Sequence, residues 1–291
     1  MPRLLVSNGD DRFVGKLIES LAIKNGVDVT ALVAPEGFVL DVPGVASVTE
    51  PGDQTHLLLT MPIDDEAARR AMDLIDAVDG MHLLFIATSA HAQDQAVMEH
   101  MKASGKAWTI VRPVSMMDVS LAALPPQVAM GGVVFGISGT KRIGFVAASD
   151  IMRVLAVVIA GQGHAGQEYV CTGPEAVDMP TVVARLSQVL GRPVDYIDLP
   201  EPEMKRLMVQ YGRQDPGVIE RLVMGHLRTW RDGLADVVTT TVRDLTGQEP
   251  LSVTQWFAKH RDDYPRRQSL AQRATNTLVK ARYRDRILSS G

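Results

Sequence analysis

Short β-rich runs alternate with helix-spaced apolar segments through the first part of the chain, and that order leaves few folds open. Residues 4–7, 27–33, 45–48, 56–60, 82–87 and 108–111 read as strands, while 13–24, 64–78 and 93–104 carry apolar residues at helical spacing. Strand, helix, strand in succession implies a parallel sheet with helices on both faces. Right-handed crossovers then bring the carboxyl ends of the strands to one edge, where ligands of such sheets bind. The fold class expected is therefore α/β, a doubly wound parallel sheet. The turn near Gly9 and the segments after Thr60, Ala87 and Arg112 should converge on that edge.

The first of these turns is unusual. Leu4-Leu5-Val6-Ser7-Asn8-Gly9-Asp10-Asp11-Arg12-Phe13-Val14-Gly15 has the shape of a strand, a Gly-rich turn and a helix start, the unit that cradles a dinucleotide pyrophosphate. Gly9 can supply the tight bend and Gly15 the close helix–strand contact. Between them, where a phosphate would come nearest, stand Arg12 and the carboxylates of Asp10 and Asp11. A carboxylate within roughly 5 Å of a pyrophosphate costs about 1–3 kcal/mol at an effective dielectric near 20, unless Arg12 compensates. The turn keeps the fold's outline while its charges oppose the cofactor, which leaves two alternatives open: NADP or NAD, or no cofactor. Gly9, Arg12, Phe13, Val14, Gly15, Thr60 and Thr88 are the residues expected to hold a nucleotide if one binds.

Bulk properties narrow the classes. With 291 residues, 46% of them hydrophobic, the chain can bury a large core. A net charge of −4 gives no footprint for nucleic acid or for an anionic membrane, so neither is an expected partner. One cysteine, Cys171, fits a reducing compartment. The apolar run after Met1 spans only Leu4 to Val6, and no segment approaches the roughly 18 apolar residues of a membrane span, so a cytoplasmic protein is expected. The histidines are scattered and Cys171 has no partner at ligand spacing, so no metal site is expected.

Beyond Pro113 the pattern loosens. Strands are expected at 133–137, 143–146, 169–172 and 194–199, and helices at 150–160 and 179–190. Residues 1–130 read as the sheet domain, 131–265 as a smaller α+β lobe on the substrate side interleaved with it, and 266–291 as a basic tail. In the tail, Arg266, Arg267, Arg273, Lys280, Arg282, Arg284 and Arg286 stand against Asp285 alone. Leu270, Ala274, Leu278 and Ala281 give it a weak helical stripe. It reads as a peripheral or partly disordered helix, with a homodimer or partner contact as the alternative.

Trp108-Thr109-Ile110-Val111-Arg112-Pro113 resembles a strand of the NmrA-like group of atypical short-chain dehydrogenases/reductases. Other segments agree in order: Met101 to Gly105, Gly144 to Ile151, Gly163 to Tyr169 with Thr172-Gly173-Pro174-Glu175-Ala176, and Leu190-Gly191-Arg192-Pro193-Val194. The resemblance implies an NAD(P)-binding Rossmann-like domain with a small C-terminal lobe. It also implies reduction of quinones, ketones or alkenes with NAD(P)H, in a group that includes non-catalytic nucleotide sensors. Two departures stand out. Ala34 occupies the place of an Arg that would hold an adenosine 2′-phosphate, and no tyrosine has Lys four residues on, as the wider superfamily's proton donor does.

After the fifth strand, His91 is a candidate general acid or base, and Ser89 a candidate substrate-oxygen contact or helix cap. Asp118 is a candidate buried acid or base. Ser115, Met116 and Met117 occupy what resembles the family's pocket wall, adaptable apolar lining for a small apolar molecule, with core packing as the alternative for the methionines. Three functions remain open: an NAD(P)H-dependent reductase of an apolar carbonyl, quinone or enone; a cofactor-independent isomerase, cyclase or lyase on the same fold; and a non-catalytic sensor.

Overall fold

A computed structural model describes residues 2–8, 12–34, 42–62, 64–88, 92–212, 216–265 and 269–288, without the side chains of Arg12, Phe13, Met130, Tyr211, Val218, Arg221, Leu222, Leu270 and Arg273. The strands are β1 (Arg3–Val6), β2 (Asp28–Leu32), β3 (Ala46–Val48), β4 (His56–Leu59), β5 (His82–Ile86), β6 (Trp108–Pro113), β7 (Ser115–Met116), β8 (Val133–Gly136), β9 (Arg142–Val146), β10 (Gln167–Cys171), β11 (Ala176–Asp178), β12 (Asp195–Asp198) and β13 (Ile287–Leu288). The helices are α1 (Arg12–Glu19), α2 (Asp65–Ala77), α3 (Ala92–Ala103), α4 (Met117–Ser120), α5 (Leu124–Gly131), α6 (Ala148–Ala160), α7 (Met179–Leu190), α8 (Glu201–Gly212), α9 (Pro216–Val218), α10 (Gly225–Arg231), α11 (Thr241–Thr246), α12 (Val253–Lys259) and α13 (Leu270–Arg282).

The chain divides into two units. Unit 1 comprises Met1–Pro113, Ala148–Cys171 and Thr240–Glu249; unit 2 comprises Val114–Ala147, Thr172–Thr239 and Pro250–Gly291.

Unit 1 is a seven-stranded sheet in the order β10-β6-β5-β4-β1-β2-β3, every pair parallel. The strand order runs outward in opposite directions from β1 and β4, so a crevice forms where their carboxyl ends diverge. Central strands such as His82-Leu83-Leu84-Phe85-Ile86 are apolar on both faces because both are covered. Leu5, Leu57, Leu59, Leu83, Phe85 and Ile110 share one cluster with Ala68 and Ile75 of α2 and with Val97, Met98 and Met101 of α3. Each fully buried Leu or Phe contributes about 1.5–3 kcal/mol. Asp64 caps α2 by accepting the Ala67 N–H, and Lys106 closes its other end on the carbonyls of Ile75, Asp76 and Val78.

At the amino edge of this sheet the first residues of successive strands form a histidine row. The rings of His56 and His82 stack with centroids 5.5 Å apart, and His82 Nε2 lies 2.8 Å from Thr109 Oγ1. Thr109 Oγ1 donates to the His164 carbonyl at 2.6 Å, and His164 Nδ1 meets the Tyr169 hydroxyl at 2.8 Å. Burial, then the neighbouring His82, pushes His56 down to about 4; burial first, partly opposed by a bond to the Trp108 backbone, also lowers His82.

Unit 2 holds two three-stranded sheets, β11-β9-β7 and β13-β12-β8. Phe145, Val177, Leu186, Tyr196, Trp230, Trp256 and Phe257 are among its core. The segments around Gly144 and Gly173 owe their glycines to backbone approach. A Cβ on Gly144 would lie 2.1 Å from the Val237 carbonyl oxygen, and one on Gly173 2.5 Å from that of Phe145, so any larger residue forces the main chain apart.

The basic tail differs from its sequence reading. A capping box at Ser269 and Gln272 starts α13, Tyr283 is buried, and β13 pairs antiparallel with β12. The docking stripe is Val279, Tyr283 and Ile287, four residues apart, whereas Leu278 of the expected stripe is 72% exposed. Lys280 pairs with Asp195, and Arg286 with Glu203. Among the described residues no helix is long and apolar enough to cross a membrane, and no three His, Cys, Asp or Glu stand together as a metal site would need.

Candidate functional site

In unit 1 the crevice between β1 and β4 is lined by polar residues that end the strands. Ser7 is buried and its Oγ accepts the Thr60 N–H at 3.4 Å. Asn8 follows in the left-handed region at φ 55°, a conformation Asn tolerates better than most residues, and its Nδ2 donates to Thr60 Oγ1 at 3.1 Å. The chain then passes within four residues to the start of α1 at Arg12. Gly9, Asp10 and Asp11, the centre of the turn, lie outside the described residues. Val14 is buried at 4% exposure, so its side chain serves the core and only its backbone is suited to meeting a ligand.

Beside it, the end of β5 is held by a buried carboxylate that sequence reasoning did not single out. Asp94, fully buried in the first turn of α3, accepts from the Thr88 N–H at 2.6 Å and from the Thr88 hydroxyl at 2.9 Å, both to Oδ2. Such charge-assisted bonds are short and strong, and they lock the β5–α3 turn. With its proton committed to Asp94, the Thr88 oxygen faces any further partner as an acceptor. Ser89 and His91, which belong to this turn, lie outside the described residues.

Unit 2 contributes a different constellation. Ser115, 1% exposed on β7, has its Oγ 3.1 Å from Ser120 Oγ and 3.2 Å from His226 Nε2. The His226 ring, on α10, packs edge to face against Trp230 with centroids 5.1 Å apart, and Trp230 in turn meets Phe145 at 5.4 Å. The Trp230 indole N–H is buried without a hydrogen-bond acceptor among the described residues, a donor turned into an apolar surround. Met116 and Met117 are buried beside Ser115, and Met117 joins the core cluster of the unit. Asp118 sits half-buried in the four-residue α4. His226 carries no sequence signal that ties it to Ser115, because 111 positions separate them.

Cys171 offers no thiolate chemistry: burial, with Asp150 adding to it, pushes its thiol up to about 12. Outside the crevice, His100 is bound to Asp76 at 2.8 Å on the surface of unit 1.

A seven-stranded parallel sheet with a polar crevice at its reversal point defines a protein of the Rossmann-like, NAD(P)-binding class. No protein-family model matches the sequence. The chain is 30% identical over 240 residues to the (4-alkanoyl-5-oxo-2,5-dihydrofuran-3-yl)methyl phosphate reductase of Streptomyces griseus subsp. griseus, covering 82% of this chain and 78% of that protein. It is 31% identical over 162 residues to the NAD(P)H azoreductase of Xenophilus azovorans, 56% of either chain. A solved NADPH-dependent quinone oxidoreductase from Escherichia coli superposes with a TM-score of 0.75 at 19% identity, covering 89% of this chain and 99% of that one, which shows the shared fold. The chain belongs to the NmrA-like atypical short-chain dehydrogenases/reductases, a family of NAD(P)H-dependent oxidoreductases.

Asn8, Thr60 and Thr88 present amide and hydroxyl groups, which suit the ribose and amide parts of a nicotinamide dinucleotide. Ala34, exposed after the end of β2, offers no cation to a 2′-phosphate.

Proposed function

We propose that the protein reduces an apolar carbonyl, quinone or enone with NAD(P)H, and that the Ser115–His226 pair, considered within unit 2 alone, is a group able to deliver a proton. The observation that carries this reading is the pair itself: a buried hydroxyl within hydrogen-bond reach of an imidazole, beside an acceptor-less indole N–H and buried methionines. Asn8, Thr60 and Thr88, with the backbone from Arg12 to Gly15, would hold the dinucleotide in unit 1. When bound, it supplies the hydride.

The chain's own residues would handle the proton. Ser115 Oγ, bonded to His226 Nε2, can donate to the substrate oxygen and be reprotonated from the imidazole, whose ordinary pKa lies near neutrality. The edge-to-face contact with Trp230 holds the His226 ring in place. Met116 is the adaptable apolar side chain beside Ser115, suited to a planar substrate. The Streptomyces relative, by its name, reduces an alkanoyl- and oxo-substituted dihydrofuran that carries a methyl phosphate, so it supports the carbonyl class but not an apolar substrate.

Fluorescence titration with NADPH and NADH, followed by turnover of a quinone and enone panel, tests the reading. Micromolar nucleotide binding is expected. His226→Gln should lower kcat by about 10²–10⁴-fold while leaving nucleotide affinity within twofold or so. Neutralising Asp10 and Asp11 together should tighten binding at least tenfold, given about 1–3 kcal/mol for each charge. Failure to bind at millimolar nucleotide, with turnover of an apolar substrate in its absence, would replace this reading by redox-neutral chemistry, which the acidic turn at Asp10 and Asp11 favours. An unchanged kcat in His226→Gln would remove the pair from the mechanism.

A further inference from the structure

Away from both groups of residues described above, two turns of unit 2 meet, and each carries an arginine. The first ends α7: Gly191 takes the left-handed conformation at φ 64°, and the Arg192 N–H returns to the Ser187 carbonyl at 3.2 Å. The second follows α12: Trp256 stacks on His260 with centroids 3.9 Å apart, and a 3₁₀ turn over Arg261–Asp263 closes with the Tyr264 N–H on the Arg261 carbonyl at 3.3 Å. Arg192 Nη2 bridges the two turns by donating to the Pro265 carbonyl at 3.3 Å.

That single bond leaves most of the site's donors unused. Arg192 Nε and Nη1, Arg261 Nη1 and the Tyr264 hydroxyl are all buried with no hydrogen-bond partner among the described residues. Tyr264 is itself only 2% exposed, packed on Phe257. Burial first, and the nearby Arg261 charge second, both disfavour the charged form of Arg192. Arg192 and Arg261 thus carry orphaned donors on two turns that the Arg192–Pro265 bond joins, and buried donors of this kind are kept where a partner satisfies them; the acid whose charge reaches this turn is Asp263, which adds to the burial that raises Tyr264.

We propose that Arg192 and Arg261 form the two sides of a binding site for a phosphate dianion, free or carried as a phosphomonoester. The planar guanidinium fork matches phosphate oxygens in pairs, and two forks match a double negative charge. Tyr264 stands on the same turn as a third donor. Arg261 lies on a surface turn, itself half-buried and followed by the exposed Asp262 and Asp263. The site is independent of the reductase reading: its residues belong to neither the crevice nor the Ser115–His226 pair.

The test is thermal unfolding and equilibrium binding of the full chain in inorganic phosphate, glycerol 3-phosphate or sodium chloride at matched ionic strength. The expected result is a saturable rise in Tm of about 2–6 °C at phosphate well above its Kd, absent in chloride. An equal or larger rise with glycerol 3-phosphate would assign the site to phosphomonoesters, and a rise with inorganic phosphate alone would assign it to the free ion. Arg261→Gln should unfold no earlier than wild type in chloride, because like charges are separated, yet lose at least tenfold in phosphate affinity. Arg261→Lys, which keeps the charge and loses the fork, should bind with intermediate affinity and guards against a folding defect in the glutamine variant. A phosphate effect no larger than that of chloride, or one retained in full by Arg261→Gln, would overturn the proposal.

Discussion

Acid should weaken this protein through the histidine row before its carboxylates titrate. His56 falls from 6.5 in the unfolded chain to about 4 in the folded one, because burial and then the adjoining His82 disfavour its charge. Between those values the unfolded state binds a proton that the folded state refuses, so stability is complete above about pH 6.5 and is lost as pH falls towards 4. At 1.36 kcal/mol per pKa unit, about 2 kcal/mol of the His56 contribution is gone by pH 5. The ring is partly exposed, so solvent screening reduces this to about 1 kcal/mol. His82, lowered chiefly by burial, adds in the same direction. His56→Gln keeps a polar partner for the Thr55 hydroxyl, which lies 2.8 Å from His56 Nδ1, and removes the titration. Urea unfolding of both proteins at pH 7.5, 6, 5 and 4.5 gives the comparison. Wild type should lose about 1 kcal/mol more than the variant between pH 7.5 and 5, and parallel pH profiles would refute the assignment.

Three further outcomes follow from the packing. Gly144→Ala should destabilise unit 2 by about 3 kcal/mol or more, because its methyl meets the Val237 carbonyl oxygen at 2.1 Å; an unchanged urea midpoint would contradict the close approach. Asp94→Ala strands the Thr88 N–H and hydroxyl and should cost about 2–4 kcal/mol, whereas Asp94→Asn, which keeps an acceptor, should cost about half as much; equal losses would mean that a neutral acceptor of the same shape contributes nothing and the charge alone holds the turn. Tyr283→Ala should undock α13 at a cost of about 2–4 kcal/mol and make the tail the first site of limited proteolysis, while an equally protected tail would show that Val279 and Ile287 suffice.

Several elements could be read directly from local residues. Helix α7 begins and ends where expected, since Asp178 caps it by accepting the Thr181 N–H and Gly191 supplies the left-handed residue that stops it. The strands of the first sheet stand within one or two residues of their expected bounds because two covered faces demand continuous apolar runs. The segments that carried the family resemblance also have local reasons: Gly144 and Gly173 permit backbone approach, and Thr109 ties β6 to the turn before β10. The tail was less legible. Its charges dominate its composition, while Val279, Tyr283 and Ile287, the Lys280 and Arg286 ion pairs and the β13–β12 pairing hold it to the unit.

By itself, then, the sequence determined the order of strands and helices, the parallel sheet and the crevice where its strand order reverses, because those depend on periodicities of two and 3.6 residues and on caps a few positions apart. The resemblance offered Ser115, Met116 and Met117 as pocket lining, with core packing as the alternative for the methionines, and all three are buried, Met117 within the core cluster of unit 2. Only the tertiary structure decided that His226 reaches Ser115 across 111 positions, that Asp94 is buried under Thr88, and that Arg192 reaches the Pro265 carbonyl from a separate turn. Such contacts depend on where the chain returns after long excursions, and no pattern among neighbouring residues records that path.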